Sequence, residues 1–166
     1  MTEVVRTESE EETAGVARRL AGQLPPGSVV LLTGDLGAGK TAFVRGLAAG
    51  LGIDSEEVSS PTFTLVQEYR PSTGAGRPAP AEGRGEGSLL HVDLYRLQGA
   101  EIDDLGLDEL SEGTAVVAIE WAEKLSVSPT GAIRVEIRDR GGDTREITIG
   151  ADSDQLAAGS GTPAIR

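Results

Sequence analysis

The sequence contains no cysteine and a single histidine, His91, in 166 residues. Without cysteine there is no disulfide, thiolate nucleophile or cysteine zinc site, and one imidazole excludes any site that needs two. Aromatic residues make up only 3% of the chain, so the core has to be aliphatic. Lysine and arginine number 15 against 27 acidic residues, a net charge of −12. That charge argues against a protein that binds nucleic acid without a partner, because such binding depends on cationic side chains.

Long hydrophobic runs are also missing. No stretch reaches the roughly 18 apolar residues of a transmembrane helix. The N-terminus runs into Glu10, Glu11 and Glu12 rather than showing the basic and then apolar start of a signal peptide. We therefore expect a soluble cytoplasmic protein with no membrane contact. The length favours one domain, placed over residues 1–150, with a small and polar disordered tail over residues 151–166.

Hydrophobic periodicity predicts alternating helices and strands. Ser9 and Glu12 have capping-box spacing at the start of an amphipathic helix over 7–24. Residues 70–88 hold five glycines and three prolines and almost nothing apolar, which predicts a flexible insertion. The other predicted elements are strands over 28–33, 58–69, 89–94 and 115–120, helices over 40–51 and 101–110, and an antiparallel hairpin over 133–149. A strand, a glycine-rich turn and a helix in that order open an α/β domain.

The turn after the first of these strands has the pattern G-x-x-x-x-G-K-[ST] of a phosphate-binding loop. Its glycines let backbone N–H groups point at phosphate oxygens, and the following helix N-terminus adds partial positive charge. Lys40 supplies an ammonium for the β- and γ-phosphates, and the Thr41 hydroxyl is suited to Mg²⁺. No N-K-x-D guanine element occurs, so ATP is the favoured nucleotide. The predicted nucleotide-binding residues of this loop are Gly34, Asp35, Leu36, Gly37, Ala38, Gly39, Lys40 and Thr41.

Two carboxylates end the internal strands that follow. Asp93 and Glu120 each close an apolar run, where they could converge on the phosphate loop as a metal ligand and a water-positioning base. The alternative for Asp93 is a helix-capping or surface carboxylate without a role in the site. The alternative for Glu120 is a surface ion pair. Trp121 either closes the core or lines the mouth of the nucleotide site, and His91 is interpreted as a strand residue rather than a catalyst.

Thr62 is the remaining candidate from the pattern alone. It lies between the phosphate-loop helix and the next strand, where proteins of this class often sense the γ-phosphate through a threonine. Without a family to support it, an ordinary Ser-Pro turn entering a strand is the favoured interpretation of this segment.

Five segments together resemble one family. GDLGAGKT, SSPTFTLVQEY, HVDLYRL, DLGLDEL and IEW, over residues 34–41, 59–69, 91–97, 104–110 and 119–121, are similar in type and order to the bacterial TsaE (YjeE) family of tRNA threonylcarbamoyladenosine biosynthesis ATPases. The resemblance extends from about Ser9 to Ile149 and fails in the 70–88 insertion and the tail. It implies a P-loop NTPase-like three-layer sandwich of the α/β class with a mixed, partly antiparallel sheet.

The resemblance also implies a function. It predicts a Mg²⁺-dependent ATPase that works with TsaD and TsaB proteins, which place threonylcarbamoyl on the adenosine next to the anticodon of ANN-decoding tRNAs; the partners then hold the tRNA. Carried over to this chain, Thr41 and Glu120 are associated with Mg²⁺, Asp93 with hydrolysis, and adenine contacts fall near Glu10 to Thr13. Slow hydrolysis is expected, with Arg45 and Arg96 as arginine-finger candidates in cis and a partner residue as the alternative in trans.

Two other functions remain open at this point. A small-molecule kinase would use the same loop to pass the γ-phosphate to a bound acceptor, but the 70–88 segment has arginines without the apolar residues of a packed lid. A nucleotide-responsive binding module would turn ATP over only incidentally.

Overall fold

The computed structural model describes residues 2–35, 37–59, 66–71, 87–110 and 112–151. In these ranges the strands are β1 (Glu3–Thr7), β2 (Val29–Thr33), β3 (Val66–Tyr69), β4 (Leu89–Asp93), β5 (Val116–Glu120), β6 (Ile133–Asp139) and β7 (Arg145–Ala151). The α-helices are α1 (Glu10–Ala21), α2 (Lys40–Gly50), α3 (Gly99–Asp103) and α4 (Leu107–Leu110). Single 3-10 turns occur at Ser55–Glu57 and Ala122–Lys124.

The seven strands form one sheet in the order β1-β7-β6-β2-β5-β4-β3. The central four, β6, β2, β5 and β4, run parallel, whereas β3, β7 and β1 pair antiparallel with their neighbours. The residues of β4 and β5 are all buried, as expected for parallel strands covered on both faces. The predicted mixed, partly antiparallel α/β sheet is confirmed.

Helices cover both faces of the sheet, because alternate residues of each central strand point to opposite sides. Val30 and Leu32 of β2 pack on one face with Phe43 and other residues of α1 and α2. Val29 and Leu31 pack on the other face with residues of α3, α4 and the turns beside them. The fold is therefore the expected three-layer sandwich.

Helices α1 and α2 pack closely, because the residue of α2 at their crossing is a glycine without a side chain. A Cβ atom at Gly46 of α2 would overlap the carbonyl oxygen of Ala14 and lie 2.7 Å from the Cβ of Ala17. With 12 and 11 residues, these two are the longest helices in the described ranges. None of the described helices has both the length and the apolar character needed to cross a membrane.

Local signals placed most elements within a residue or two. Ser9 caps α1 as predicted, its hydroxyl accepting from the Glu12 amide at 3.1 Å, but the helix covers Glu10–Ala21 rather than 7–24. β2, α2, β4, β5 and the antiparallel hairpin of β6 and β7 are confirmed.

Three expectations are corrected. No strand is predicted from the sequence before the first helix, whereas Glu3–Thr7 forms β1. Val58 follows a 3-10 turn and does not begin a strand; β3 starts at Val66, after a stretch outside the described residues. The helix expected over 101–110 is two short helices, because Gly106 between them adopts a φ of +68°, which a helix cannot contain.

Several predicted features lie outside the described residues. These are Leu36 of the phosphate loop, Thr62, most of the 70–88 insertion and residues 152–166. The flexible insertion, the disordered tail and the division of the chain at residue 150 stay predictions.

Candidate functional site

The phosphate loop connects the carboxyl end of β2 to the first turn of α2. Gly37 and Gly39 have φ angles of +81° and +110°, a conformation that side-chain-bearing residues rarely adopt. Gly34 passes so close to β6 that a Cβ there would lie 2.5 Å from the carbonyl oxygen of Ile137. The glycines of the motif are therefore required by the backbone path.

Lys40 begins α2 and is buried although it carries an ammonium group. Its Nζ donates to the carbonyl oxygens of Gly34 at 2.5 Å and Asp35 at 3.0 Å, and lies 4.0 Å from the centre of the Trp121 ring. Burial lowers the pKa of Lys40 below its ordinary value of 10.5, and nearby carboxylates, Glu120 first among them, oppose that shift. The ammonium therefore lies over the phosphate loop and bonds to the loop's own carbonyl oxygens.

The two predicted carboxylates come together at one edge of the sheet. β4 and β5 are parallel and pair in a register that sets Asp93 opposite Glu120, the last residue of each strand. Asp93 Oδ1 accepts from the Tyr95 amide at 2.9 Å, which fixes one of its oxygens. Both carboxylates line the same cleft as Lys40 and Thr41.

His91 contacts Glu120, which the sequence did not indicate. The ring is fully buried, and its Nε2 lies 2.5 Å from Oε2 of Glu120. Nδ1 is also buried and has no hydrogen-bond partner among the described residues. With its proton on Nε2, the imidazole donates to the Glu120 carboxylate and fixes its orientation.

The cleft itself has a volume of about 280 Å³ and lies over the amino end of α2. It is lined by Glu10, Gly37, Gly39, Lys40, Thr41, Ala42, Arg45, Asp93, Tyr95, Glu120 and Trp121. Nine residues named as candidates from the sequence are in this set: Glu10, Gly37, Gly39, Lys40, Thr41, Arg45, Asp93, Glu120 and Trp121.

Trp121 combines both roles that the sequence left open. Its ring lines the cleft and also packs against the aliphatic core on the α3 side. Trp121 has a φ of +62°, the one positive value at a non-glycine residue in the described ranges. This conformation turns the chain sharply after β5 and directs the indole over Lys40.

Tyr95 is a cleft residue that the sequence reasoning missed. Its ring centre lies 5.0 Å from that of Trp121. Lys124 supports the stack, since its Nζ donates to the carbonyl oxygens of Tyr95 at 2.7 Å and Leu97 at 3.0 Å. The H-x-D-L-Y-R segment contains the tyrosine, but only the fold shows that it meets Trp121.

Other candidates are distributed unevenly. Arg45 lines the cleft and its Nε donates to the carbonyl oxygen of Val58 at 3.1 Å, whereas Arg96 is exposed and not among the lining residues. The structure does not bring Thr13 into the cleft, because its hydroxyl is buried against that of Thr7 at 2.8 Å. On α1, Glu10 is the lining residue.

The donor set suits a hard divalent cation. Thr41, Asp93 and Glu120 bring oxygen atoms to one cleft, and Mg²⁺ prefers such ligands together with phosphate oxygens. No group of three or more His, Asp or Glu residues within the described ranges could enclose a metal by itself. The chemistry of the site therefore fits a metal that binds together with a nucleotide.

Comparison with known proteins identifies the family. The model of the family described as "Threonylcarbamoyl adenosine biosynthesis protein TsaE" matches residues 7–147. The chain belongs to the TsaE family.

Curated relatives with the name "tRNA threonylcarbamoyladenosine biosynthesis protein TsaE" match the chain over most of its length. The Bacillus subtilis TsaE is 42% identical over 88% of this chain and 84% of its own. The Streptomyces coelicolor TsaE is 41% identical over 81% of this chain and 86% of its own length. The crystal structure of Bacillus subtilis YdiB superposes with a TM-score of 0.65 at 34% identity, covering 93% of this chain and 89% of that one.

Proposed function

We propose that this chain is a Mg²⁺-dependent ATPase required for threonylcarbamoyladenosine formation on ANN-decoding tRNAs, acting in the cytoplasm with TsaD and TsaB proteins. The observation that carries the proposal is the convergence of Lys40, Thr41, Asp93 and Glu120 on one cleft at the phosphate loop. Membership of the TsaE family and the names of the relatives support the role in tRNA modification.

The phosphate loop binds the nucleotide in this proposal. Its backbone N–H groups and the amino end of α2 surround the β- and γ-phosphates. The Lys40 ammonium leaves the carbonyl oxygens of Gly34 and Asp35 for the phosphate oxygens, which carry full rather than partial negative charge. Trp121 and Tyr95 form one side of the cleft.

The carboxylates divide the remaining work. Thr41 and Glu120 would hold Mg²⁺, which would supply positive charge beside the phosphates. His91 engages Oε2 of Glu120 and holds the carboxylate in place for this role. Asp93, held by the Tyr95 amide, orients the attacking water. Arg45 is the cleft residue that can offset charge on the γ-phosphate in cis.

The net charge of −12 fits a subunit that leaves the tRNA to its partners. Nucleotide binding and hydrolysis would then determine when the chain binds the synthase and when it dissociates. We expect turnover by the chain without the synthase to be slow.

Phosphate release from ATP with Mg²⁺, measured with and without the TsaD and TsaB proteins, tests the proposal. We expect slow release alone and faster release with the partners. In a reaction that also contains a threonylcarbamoyl donor, we expect an ANN-decoding tRNA to be modified only when all three proteins are present. Lys40→Ala should abolish both activities, while Arg138→Ala, which removes an exposed cation outside the cleft lining, should not. Transfer of phosphate to a metabolite would instead identify a kinase, and full tRNA modification with Lys40→Ala would reduce nucleotide turnover to an incidental property.

A further inference from the structure

Arg145, the first residue of β7, connects the phosphate loop to the turn between β6 and β7. Its Nε donates to the carbonyl oxygen of Ala38 at 2.9 Å. Its Nη1 donates to the carbonyl oxygens of Gly142 at 2.8 Å and Thr144 at 3.0 Å, and lies 3.3 Å from Oδ1 of Asp139. One guanidinium therefore joins two segments that are distant in sequence.

The Ala38 carbonyl is a sensitive point of the loop. The peptide unit between Ala38 and Gly39 is planar, so the direction of the Ala38 carbonyl also fixes the direction of the Gly39 N–H. Gly39 lines the cleft, whereas the Lys40 side chain bonds to the carbonyl oxygens of Gly34 and Asp35 and not to this peptide. Arg145, through Nε, thus restrains an amide at the site proposed to bind phosphate.

The turn that holds Arg145 is itself braced. The Gly141 amide donates to Oδ1 of Asp139 at 2.8 Å, and the backbone of Arg140 and Thr144 is joined by a 2.9 Å hydrogen bond. The Thr144 hydroxyl donates to Oε2 of Glu8 at 2.9 Å, just before α1 begins. The guanidinium is therefore anchored to a segment with several fixed contacts, not to a free loop.

We propose that Arg145 is a positioning residue for nucleotide binding: it holds the Ala38–Gly39 peptide so that the Gly39 N–H faces the phosphates. This inference rests on the proposed function, because it assumes that the loop binds ATP. Arg145 acts through the backbone and does not need to touch the nucleotide.

Calorimetric titration of the full chain with ATP and Mg²⁺ tests the assignment. Removing one charge-assisted hydrogen bond to the loop should weaken binding by about ten-fold in Arg145→Met. The matched control is Arg138→Met on the same hairpin, because Arg138 is exposed and forms a 3.2 Å ion pair with Glu136 of the same strand. Its dissociation constant should remain within about two-fold of the wild type.

Asp139→Ala separates positioning from stability. This variant removes a carboxylate that Arg145 and the turn use, but keeps the Ala38 contact. We expect it to lower the thermal midpoint at least as much as Arg145→Met does, with little loss of ATP affinity. Equal losses of affinity in both variants would assign the effect to the hairpin and overturn the proposal.

Arg145→Lys decides the question if Arg145→Met does not fold. An ammonium cannot span Ala38 and the turn as the guanidinium does, so this variant should bind ATP measurably less well than the wild type. Wild-type affinity in folded Arg145→Lys or Arg145→Met overturns the inference alone. A wild-type chain that does not bind ATP with Mg²⁺ overturns the proposed function as well.

Discussion

The ammonium group of Lys40 is held where burial disfavours its charge. Desolvation lowers the pKa of this group, and the carboxylates of Glu120, Glu123, Asp93 and Asp35 only oppose the shift. A lysine in this position destabilises the folded state below its lowered pKa, because the unfolded chain solvates the charge better. A buried charged group that lowers stability is typical of ligand-binding sites.

The lowered pKa of Lys40 predicts that the stability difference between the wild type and Lys40→Met depends on pH. Between the lowered pKa of Lys40 and 10.5, the unfolded wild type binds more protons than the folded one. The free energy of unfolding of the wild type should therefore rise relative to that of Lys40→Met as the pH increases towards 10.5. Urea unfolding of both proteins across this range measures the difference. A pH-independent difference would show that burial does not penalise the charged lysine.

Glu120 is expected to matter for turnover more than for binding. Glu120→Gln keeps the size of the side chain and an oxygen for His91, but it loses the negative charge that faces the cleft. Turnover should fall by about 100-fold or more, with ATP affinity changed by only a few-fold. Glu123→Gln is the control, since Glu123 is exposed and outside the cleft lining. Normal turnover in Glu120→Gln would remove this residue from the site.

At the scale of elements, the close crossing of α1 and α2 holds the phosphate-loop helix in place. Glycine is a poor helix former, and its presence inside α2 is explained by the backbone of α1. Gly46 faces Ala14 and Ala17, and Gly50 faces Arg18 and Ala21. In contrast, a Cβ at Gly15 of α1 would meet nothing within 4 Å.

Gly46→Ala and Gly15→Ala should therefore have opposite effects. Gly46→Ala forces the helices apart and should destabilise the fold by about 1–3 kcal/mol. Gly15→Ala should stabilise it by about 0.5–1 kcal/mol, because alanine restricts the unfolded chain and favours helix. Urea unfolding measures both values. Equal effects of the two substitutions would contradict the packing described here.

Elements with strong local patterns were predictable from the sequence, and those decided by tertiary pairing were not. β2 and β5 are short apolar runs with clear boundaries. β1 has no such pattern: Val4 is exposed while Val5 packs on the core, and pairing with β7 rather than composition makes it a strand. Gly106 could have signalled the break between α3 and α4, but glycine alone does not reveal its φ angle.

The site divides in the same way. Lys40 and Thr41 belong to a contiguous motif, and Asp93 and Glu120 are at strand ends, so local reasoning found them. The contacts of His91 with Glu120 and of Arg145 with Ala38 span 29 and 107 residues. No pattern in one sequence specifies such pairs, because they depend on strand order and register.

At the scale of the whole molecule, the 70–88 segment separates β3 from β4 in the sequence. Tyr69 and Leu89 pair directly across these two strands, so the connection need not be long. Deleting residues 73–86 leaves 70–72 and 87–88, five residues, between them. Hairpin loops of this length are common.

We therefore expect the 73–86 deletion to fold and to bind ATP as the intact chain does. The shorter loop should stabilise the fold by about 1 kcal/mol through its smaller closure entropy. Urea unfolding and calorimetric titration measure the two properties. Loss of folding would show that the insertion is structural, and loss of partner-stimulated turnover alone would place it at the partner interface.

The adjacency of β1 and β7 sets an order of events during synthesis. Glu3 pairs with Ile149, so β1, the first of the described strands to be synthesised, has no neighbour in the sheet until β7, the last of them, has been made. The phosphate loop waits too, because Arg145 follows Ala38 by 107 positions. A nascent chain released before β7 is made would carry the whole nucleotide motif and yet lack the restraint on its backbone. The restraint on the phosphate loop is therefore completed only late in translation, after the residues of the motif have been made.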